Sequence, residues 1–420
     1  MKKRILLALL AALMLCGCSS APEQTQPHQA IQSQPVTEPE VTELPTAAVQ
    51  YVDLVLQVTD ESIWSDQDQV DALLAEFNAY YPNILVQVEH GDCAEANLIL
   101  GSGTQLQNLY RQGRLADVTD LWADLEEDLY PVVADQCSDA GHRFALPLAV
   151  NVYCMAIRTD LFQNAQADSL VNTTTHTWSA GSFLQAADNL TQLGIDPVLS
   201  IYCANTDGDV FTRLLVENLQ GGKYVNPING TYLANSTQIV NALKQLRETP
   251  GLFRPDMTAS DALEQFLAGQ SAMVLNWSSR LQLQYGSDKP VVHMLYPSNA
   301  RTKTYCDVYA LAVMDSADPQ KLAASMTLAA FLNGSDEAIR CTGQLPARKS
   351  DVKIYKDTPL EEAMDSLSGL LYYMEPGEIP GSNWDMGREA WAELLRSIAE
   401  EDSDVDVCVE ACQEKLAPQP

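Results

Sequence analysis

The chain has 420 residues, with 25 Lys and Arg against 56 Asp and Glu, which gives a formal net charge of −31. A surface this acidic repels nucleic acid and anionic lipid headgroups, so we expect neither as a partner. The length is too great for one hydrophobic core and predicts two domains. The charge alone is typical of a soluble exported protein, and it also leaves room for a cationic ligand.

The N-terminus has the pattern of an exported lipoprotein. Lys2–Arg4 precede an apolar run, Ile5–Leu15, of eleven residues. About 20 residues are needed to span a bilayer, so this run predicts a signal peptide over residues 1–17. Gly17 and Cys18 resemble the lipobox of bacterial lipoproteins, which implies cleavage before Cys18 and its acylation as a membrane anchor. The alternative is an ordinary secretory signal with an incidental cysteine.

Residues 18–49 are predicted to be the lipidated cysteine and a disordered tether. The segment after Cys18 is rich in Pro, Gln, Thr and Glu and has few large apolar side chains. Such a segment cannot offset the entropy of ordering by burying apolar surface. The folded part is therefore expected to begin near Tyr51.

The folded part alternates strands and helices from its start. Val52–Val58 is a β-type run, and Val70, Leu73, Leu74 and Phe77 then form one apolar helical stripe. Strands separated by helices predict βαβ units, a parallel sheet and the α/β class. Further strands are predicted at Ile84–Val88, Asn97–Leu100, Ser271–Asn276, Val291–Leu295 and Tyr305–Val313, with helices starting at Thr177 and at Gln320–Leu332, Leu360–Tyr372 and Trp384–Glu400.

No catalytic or metal-binding motif is present in the sequence. There is no nucleophile elbow, zinc-protease motif, phosphate-binding loop or dinucleotide fingerprint. The eight cysteines beyond Cys16 and Cys18 have no zinc-ligand spacing, and their even number permits disulfides without fixing any pair. Asp207 and Asp209 could form a glycosidase pair but are more typical of a turn. We therefore expect no enzyme activity, no cofactor and no metal.

Several segments resemble the family of extracellular solute-binding proteins that includes the maltose-binding proteins. Phe266–Val274 matches the family's "F-x-x-G-x-A-A-M" pattern, and the others follow the family's order over about three quarters of the chain. One departure is Ile157-Arg158, where the family often has Tyr-Asn. The other matching segments are Gln112–Leu121, Phe144–Pro147, Arg158–Phe162, Thr177–Trp178 with Phe183, Ser316–Pro319, Leu345–Arg348 and Trp391–Leu416.

The resemblance implies a two-lobe periplasmic-binding-protein fold with a ligand cleft between the lobes and hinge closure. It places one lobe at residues 50–149 and 291–348 and the other at 150–290 and 349–417. It implies a monomeric lipoprotein on the outer face of the cell membrane, which captures a small-molecule solute for the permease subunits of an ABC transporter. Sugars or oligosaccharides are the first expectation for the solute. The alternatives are a polyamine or other organic cation, a secreted hydrolase, or a sensor lipoprotein that serves a receptor.

The candidate ligand-binding residues follow from the expectation that loops after strands face the cleft. A cleft for a polar solute needs hydrogen-bonding groups and aromatic faces. Trp277 and Trp384 are predicted to stack on the ligand, whereas Trp122, Trp178 and Trp391 are assigned to the core. The full candidate set is Asp60, Trp64, Ser102, Asn151, Tyr153, Trp277, Asp307 and Trp384.

Overall fold

The computed structural model describes residues 50–123, 125–226, 229–285, 289–376 and 383–417. The predicted signal peptide, Cys18 and the tether to residue 49 lie outside the described residues. No helix in the described ranges is both long and apolar enough to cross a membrane.

The strands begin where the sequence has short runs of β-branched and other apolar residues. The predicted strand Val52–Val58 is confirmed with the same bounds, and the predicted strand at Tyr305–Val313 begins one residue earlier. The strands are β1 Val52–Val58, β2 Ile84–His90, β3 Leu98–Ser102, β4 Ser138–Asp139, β5 His142–Arg143, β6 Leu146–Arg158, β7 Ile201–Tyr202, β8 Phe253–Arg254, β9 Met273–Ser278, β10 Val291–Met294, β11 Thr304–Val313, β12 Leu345–Pro346 and β13 Met374–Pro376.

The helices present one apolar face to the sheets. In the first helix Val70, Leu73 and Phe77 are buried, as the predicted stripe requires. The α-helices are α1 Gln67–Tyr80, α2 Gly103–Arg111, α3 Pro131–Gln136, α4 Thr159–Asn164, α5 Ala180–Gln192, α6 Asp209–Gln220, α7 Thr237–Glu248, α8 Ala259–Leu267, α9 Ser279–Tyr285, α10 Pro319–Asn333, α11 Asp336–Cys341, α12 Glu361–Leu370, α13 Trp384–Ala399 and α14 Val405–Leu416, and short 3₁₀ helices occupy Thr119–Trp122, Glu126–Asp128, Asp168–Leu170, Lys349–Tyr355 and Leu371–Tyr373.

One predicted helix start is wrong. Thr177 was expected to cap α5, but the cap is Ser179, whose hydroxyl accepts a hydrogen bond from the amide of Ser182. Thr177 instead forms a β-bridge with Asn172. Ser and Thr are both good N-caps, and the sequence offers one of each within three residues.

The strands form a mixed sheet with β6 at its centre. Strand β1 pairs in parallel with β2 and β3, as predicted for βαβ units. Strand β11 returns antiparallel between β3 and β6. The first half of β6 pairs with β11 and β12, and its second half pairs with β9 and β10. A single strand thus joins two groups of strands.

Two hydrophobic cores meet at β6, where alternate residues of its second half belong to different cores. Val152 and Cys154 belong to the first core, and Met155 and Ile157 belong to the second. Trp122 lies in the first core, whereas Trp178 and Trp391 lie in the second, so the core assignment of these three tryptophans is confirmed.

The cores do not follow the predicted lobe limits at every point. Phe266 and Trp277 pack in the first core, although the sequence assigned their segment to the second lobe. Met364 and Leu367 of α12 also pack there. The lobe boundaries themselves stay a prediction.

Candidate functional site

Three neighbouring strands present polar and aromatic side chains in paired positions where β6 passes between the two cores. In the paired strands, Ser102 of β3 lies opposite Tyr309 of β11, and Asp307 of β11 lies opposite Asn151 of β6. Tyr305 and Tyr153 lie on the same faces of β11 and β6, because side chains two residues apart share a face. We call Ser102, Asn151, Tyr153, Tyr305, Asp307 and Tyr309 the ladder.

Asp307 is held by one contact within the ladder. The phenol of Tyr153 donates a hydrogen bond to Asp307 Oδ2 at 2.9 Å. Burial raises the pKa of Asp307 above its usual range, and the nearby carboxylate of Asp60 adds to the rise, whereas the Tyr153 hydrogen bond opposes it. This carboxylate is therefore kept in an environment that disfavours its charge.

Aromatic rings cover one end of the ladder. Tyr153 and Tyr305 stack with centroids 4.8 Å apart and planes at 25°. Phe211 of α6 belongs to the second core, and its ring centroid lies 5.2 Å from that of Tyr153 and 6.0 Å from that of Tyr305. Both tyrosines are partly exposed, whereas Phe211 is 8% exposed. The rings therefore offer an apolar surface beside the Asp307 carboxylate.

The loop after β1 brings a second carboxylate to the ladder. Asp60 Oδ2 accepts from Tyr309 at 3.0 Å, and its Oδ1 accepts from the amide and the hydroxyl of Ser62 at 2.9 and 2.6 Å. The Arg280 guanidinium of α9 donates to the hydroxyl and the carbonyl of Ser62. Burial alone would raise the pKa of Asp60, but these hydrogen bonds and the Arg280 charge hold it below its usual value. Asp60 is thus a stable anion, in contrast to Asp307.

Two predicted tryptophans are corrected by the structure. Trp277 is 0% exposed, contacts Phe266 edge-to-face at 5.6 Å and donates its indole N–H to Gln282 at 3.0 Å. Trp64 is also 0% exposed and donates to the carbonyl of Ala338. Protein atoms cover both rings, so neither can stack on a solute. Both belong to the first core.

Trp384 and Ser102 have different surroundings from those expected. Trp384 is half-buried at the start of α13, with the guanidinium of Arg213 lying 5.0 Å from its ring centroid. Ser102 lies in the ladder, but its hydroxyl accepts from the amide of Gln105 and caps α2. The expectation that loops after strands face the cleft identified these two positions, but it did not identify the roles of their side chains.

Asp207 and Asp209 do not form a catalytic pair. Asp209 is buried and accepts from Arg213 at 3.0 Å and from Arg388 at 2.9 Å, whereas Asp207 is exposed and accepts from Asn205. Between them Gly208 has a φ of +70°, where a Cβ would lie 2.9 Å from Ala259. The turn interpretation is confirmed.

Five of the eight predicted residues lie together: Asp60, Ser102, Asn151, Tyr153 and Asp307. Sequence reasoning missed Tyr305 and Tyr309, although both lie two residues from Asp307 in a correctly predicted strand. Because side chains two residues apart in a strand share a face, the position of Asp307 would have identified both tyrosines. Phe211 and Arg280 come from helices far away in the sequence, and no local pattern identifies them.

A cavity of about 240 Å³ opens at the start of β11, beside the ladder. Its lining includes the cations Arg301 and Lys303 and the acid Asp135. None of the ladder residues lines it, and the one strand residue in its lining is Met374 of β13, which pairs with Thr304 at the end of β11. We therefore place the candidate site on the ladder.

The cysteines of the described part of the chain are all free thiols: Cys93, Cys137, Cys154, Cys203, Cys306, Cys341, Cys408 and Cys412. Within that part, no group of three or more His, Cys, Asp or Glu side chains could hold a metal ion.

The chain matches the family described as bacterial extracellular solute-binding protein over residues 69–359. It belongs to that family, whose members are binding proteins. No curated protein matches the chain by sequence.

Solved structures with the same architecture cover nearly the whole folded part. An ABC substrate-binding protein from Listeria monocytogenes in complex with cycloalternan is 18% identical, with a TM-score of 0.65 over 87% of this chain and 98% of that chain. The cyclic α-maltosyl-1,6-maltose binding protein from Arthrobacter globiformis is 15% identical, with a TM-score of 0.66 and the same coverage. UgpB from Mycobacterium tuberculosis in complex with glycerophosphocholine is 15% identical, with a TM-score of 0.65 over 87% and 97%. The predicted α/β, two-lobe periplasmic-binding-protein fold is thereby confirmed.

Proposed function

We propose that this protein captures a sugar or an oligosaccharide at the ladder and delivers it to an ABC importer. The observation that carries the proposal is the ladder itself, with hydrogen-bonding groups beside stacked tyrosines where one strand passes between the two cores. A carbohydrate offers matching surfaces, because its hydroxyls donate and accept hydrogen bonds while its ring faces are apolar. The oligosaccharides bound by two of the similar structures support this choice.

An organic cation is the second candidate. Asp60 and Asp307 are two carboxylates beside aromatic rings, and such surroundings also attract ammonium groups. The glycerophosphocholine bound to UgpB supports keeping it.

A thermal-shift screen separates the two. We expect maltose, cycloalternan or cyclic α-maltosyl-1,6-maltose to raise the melting temperature by a few degrees, because saturation at a hundredfold excess over Kd adds about 2.7 kcal/mol to the native state. Spermidine and glycerophosphocholine are screened beside them. Stabilisation by these two alone, with none from the carbohydrates, would favour the cation.

Tyr305→Ala should weaken binding of the carbohydrate found in that screen by about tenfold, since stacking on one ring adds about 0.5–1.5 kcal/mol beyond the buried area. Isothermal titration measures the change. Tyr51→Ala is the matched control, because Tyr51 is 61% exposed and precedes β1. Equal affinities for the two variants would remove the tyrosine rings from the site.

We further propose that the protein is a monomer whose signal peptide is removed and whose Cys18 carries the lipid anchor. Acyl chains contribute about 0.8 kcal/mol per buried CH₂, so two of them hold a protein on a membrane. Cys18→Ala should move most of the protein from the membrane fraction to the medium, which immunoblotting of the two fractions measures. Cys93→Ala is the control. Retention of the Cys18 variant in the membrane would contradict the anchor.

We also propose that the protein binds its solute without catalysing a reaction. A second proposal is that α12 moves with the lobe of residues 50–149 and 291–348. The second proposal rests on the packing of Met364 and Leu367 in the first core. The remaining residues of 150–290 and 349–417 then form the other lobe.

A further inference from the structure

Asn151 and Asp307 face each other across two antiparallel strands at the centre of the ladder. The pairing of β6 with β11 places them directly opposite, so their side chains leave the sheet on the same side. Residues opposed in this way have Cβ atoms about 4.5–5.5 Å apart. One small group of a ligand can therefore touch both.

The amide of Asn151 is held so that its NH₂ group stays available. Asn151 Oδ1 accepts from the Ser279 hydroxyl at 3.0 Å, and the same hydroxyl accepts from the amide of Val152 at 3.0 Å. Asn151 is only 6% exposed, and no acceptor among the described residues pairs with its Nδ2. Because the Ser279 contact uses only the Oδ1 atom, the NH₂ group of Asn151 is free to donate to a ligand in place of water.

Asp307 offers the complementary atom. Its Oδ2 accepts from Tyr153, and no donor in the described ranges pairs with its Oδ1. The pair therefore presents one free donor group and one free acceptor side by side, next to the stacked rings of Tyr153 and Tyr305.

We propose that Asn151 Nδ2 and Asp307 Oδ1 bind two adjacent hydroxyl groups of one sugar ring, so that the innermost ring of the solute carries an unsubstituted vicinal diol. One hydroxyl donates to Asp307, and the oxygen of its neighbour accepts from Asn151, since every hydroxyl can do both. A protonated amine supplies only donors and leaves the Asn151 NH₂ group without an acceptor. This inference rests on the proposed carbohydrate-binding function and identifies the group of the solute that Asn151 and Asp307 recognise.

The test exchanges the two side chains. In the double variant Asn151→Asp, Asp307→Asn, the carboxylate at 151 still accepts from Ser279, and the amide oxygen at 307 still accepts from Tyr153. One free acceptor and one free donor remain, with their places exchanged, and the net charge is unchanged. Asp307→Asn alone leaves two amides, and Asn151→Asp alone leaves two carboxylates.

Binding is measured by isothermal titration with the carbohydrate that gives the largest shift among maltose, cycloalternan and cyclic α-maltosyl-1,6-maltose. We expect each single variant to weaken binding by about tenfold. Asp307→Asn replaces a charge-assisted hydrogen bond with a neutral one, and Asn151→Asp places two carboxylates side by side, where they repel each other. The double variant should recover most of that loss. The melting temperature of each free variant is measured in parallel, because a structural role alone would change that temperature and leave the affinities equal.

A second measurement uses the unaltered protein. The fully O-methylated form of the same carbohydrate keeps its rings but has no hydroxyl donors, and it should not bind. Binding of the methylated probe, or wild-type affinity in all three variants, would overturn the diol while leaving carbohydrate capture in place. Tighter spermidine binding by Asn151→Asp, with no carbohydrate binding by the unaltered protein, would overturn both.

Discussion

Replacing Trp277 with Ala should lower the free energy of unfolding by about 3–5 kcal/mol, the usual cost of truncating a buried tryptophan. Trp277 is 0% exposed, so the change leaves a large cavity against Phe266. It also removes the indole donor to Gln282, a side chain only 9% exposed, which leaves a buried oxygen without its partner. Urea denaturation followed by circular dichroism measures the loss.

Trp277→Phe is the matched variant, since it keeps an aromatic ring against Phe266 and loses only part of the volume and the hydrogen bond. It should retain a larger share of the stability than the Ala variant. Wild-type stability in Trp277→Ala, together with weakened solute binding, would return this tryptophan to the site.

The second large effect is a loss of stability in mild acid that comes from two histidines. The rings of His176 and His293 stack with centroids 4.1 Å apart and planes at 16°. The Nε2 atoms of both rings contact the hydroxyl of Ser366 in α12, at 2.6 Å from His176 and 2.9 Å from His293. His176 Nδ1 lies 2.9 Å from the carbonyl of His293.

These contacts define the proton positions of the neutral pair. A carbonyl only accepts, so His176 Nδ1 carries the proton and its Nε2 accepts from Ser366. The Ser366 oxygen then accepts from the protonated Nε2 of His293. A second positive ring at 4.1 Å would repel the first, and neither ring has an anionic partner among the described residues.

Burial, with the neighbouring His176, lowers the pKa of His293 to about 3, and burial lowers the pKa of His176 as well. The folded pKa lies below the unfolded value of 6.5, so acid favours the unfolded chain. The free energy of unfolding that depends on these two histidines is at its full value above about pH 6.5, and it falls as the pH drops from there towards 3. One histidine that is not protonated in the folded state costs about 2 kcal/mol between pH 7 and pH 5.

The measurement is the urea midpoint at pH 7, 6 and 5, with the slope of the transition checked at each pH. His293→Gln should show a smaller fall than the unaltered protein, whereas His90→Gln, on the exposed end of β2, should show the same fall. The stability that Asp60 contributes is lost only below about pH 4, whereas Asp307, with its raised pKa, stabilises the folded state more as the pH falls. Comparison between variants cancels both. Equal falls for His293→Gln and the unaltered protein would contradict the prediction.

Local sequence patterns were sufficient for the elements of the fold. Apolar runs such as Val52–Val58 are typical of strands, and the stripe of Val70, Leu73 and Phe77 is typical of a helix with one buried face. The order of such elements, together with the matching motifs, determined the α/β class and the family. The period of two in Tyr305, Asp307 and Tyr309 also contains half of the ladder, because side-chain direction in a strand is a local property.

Only the tertiary structure decided which side chains meet. Whether Trp277 stacks on a solute or fills a core depends on Phe266 and Gln282 covering it, and no sequence pattern determines what covers a ring. The pairing of Asp307 with Asn151 depends on the register between strands separated by more than a hundred residues. Burial and cross-strand contact are properties of the packed chain, and for that reason the site could be predicted in its strands but not in its partners.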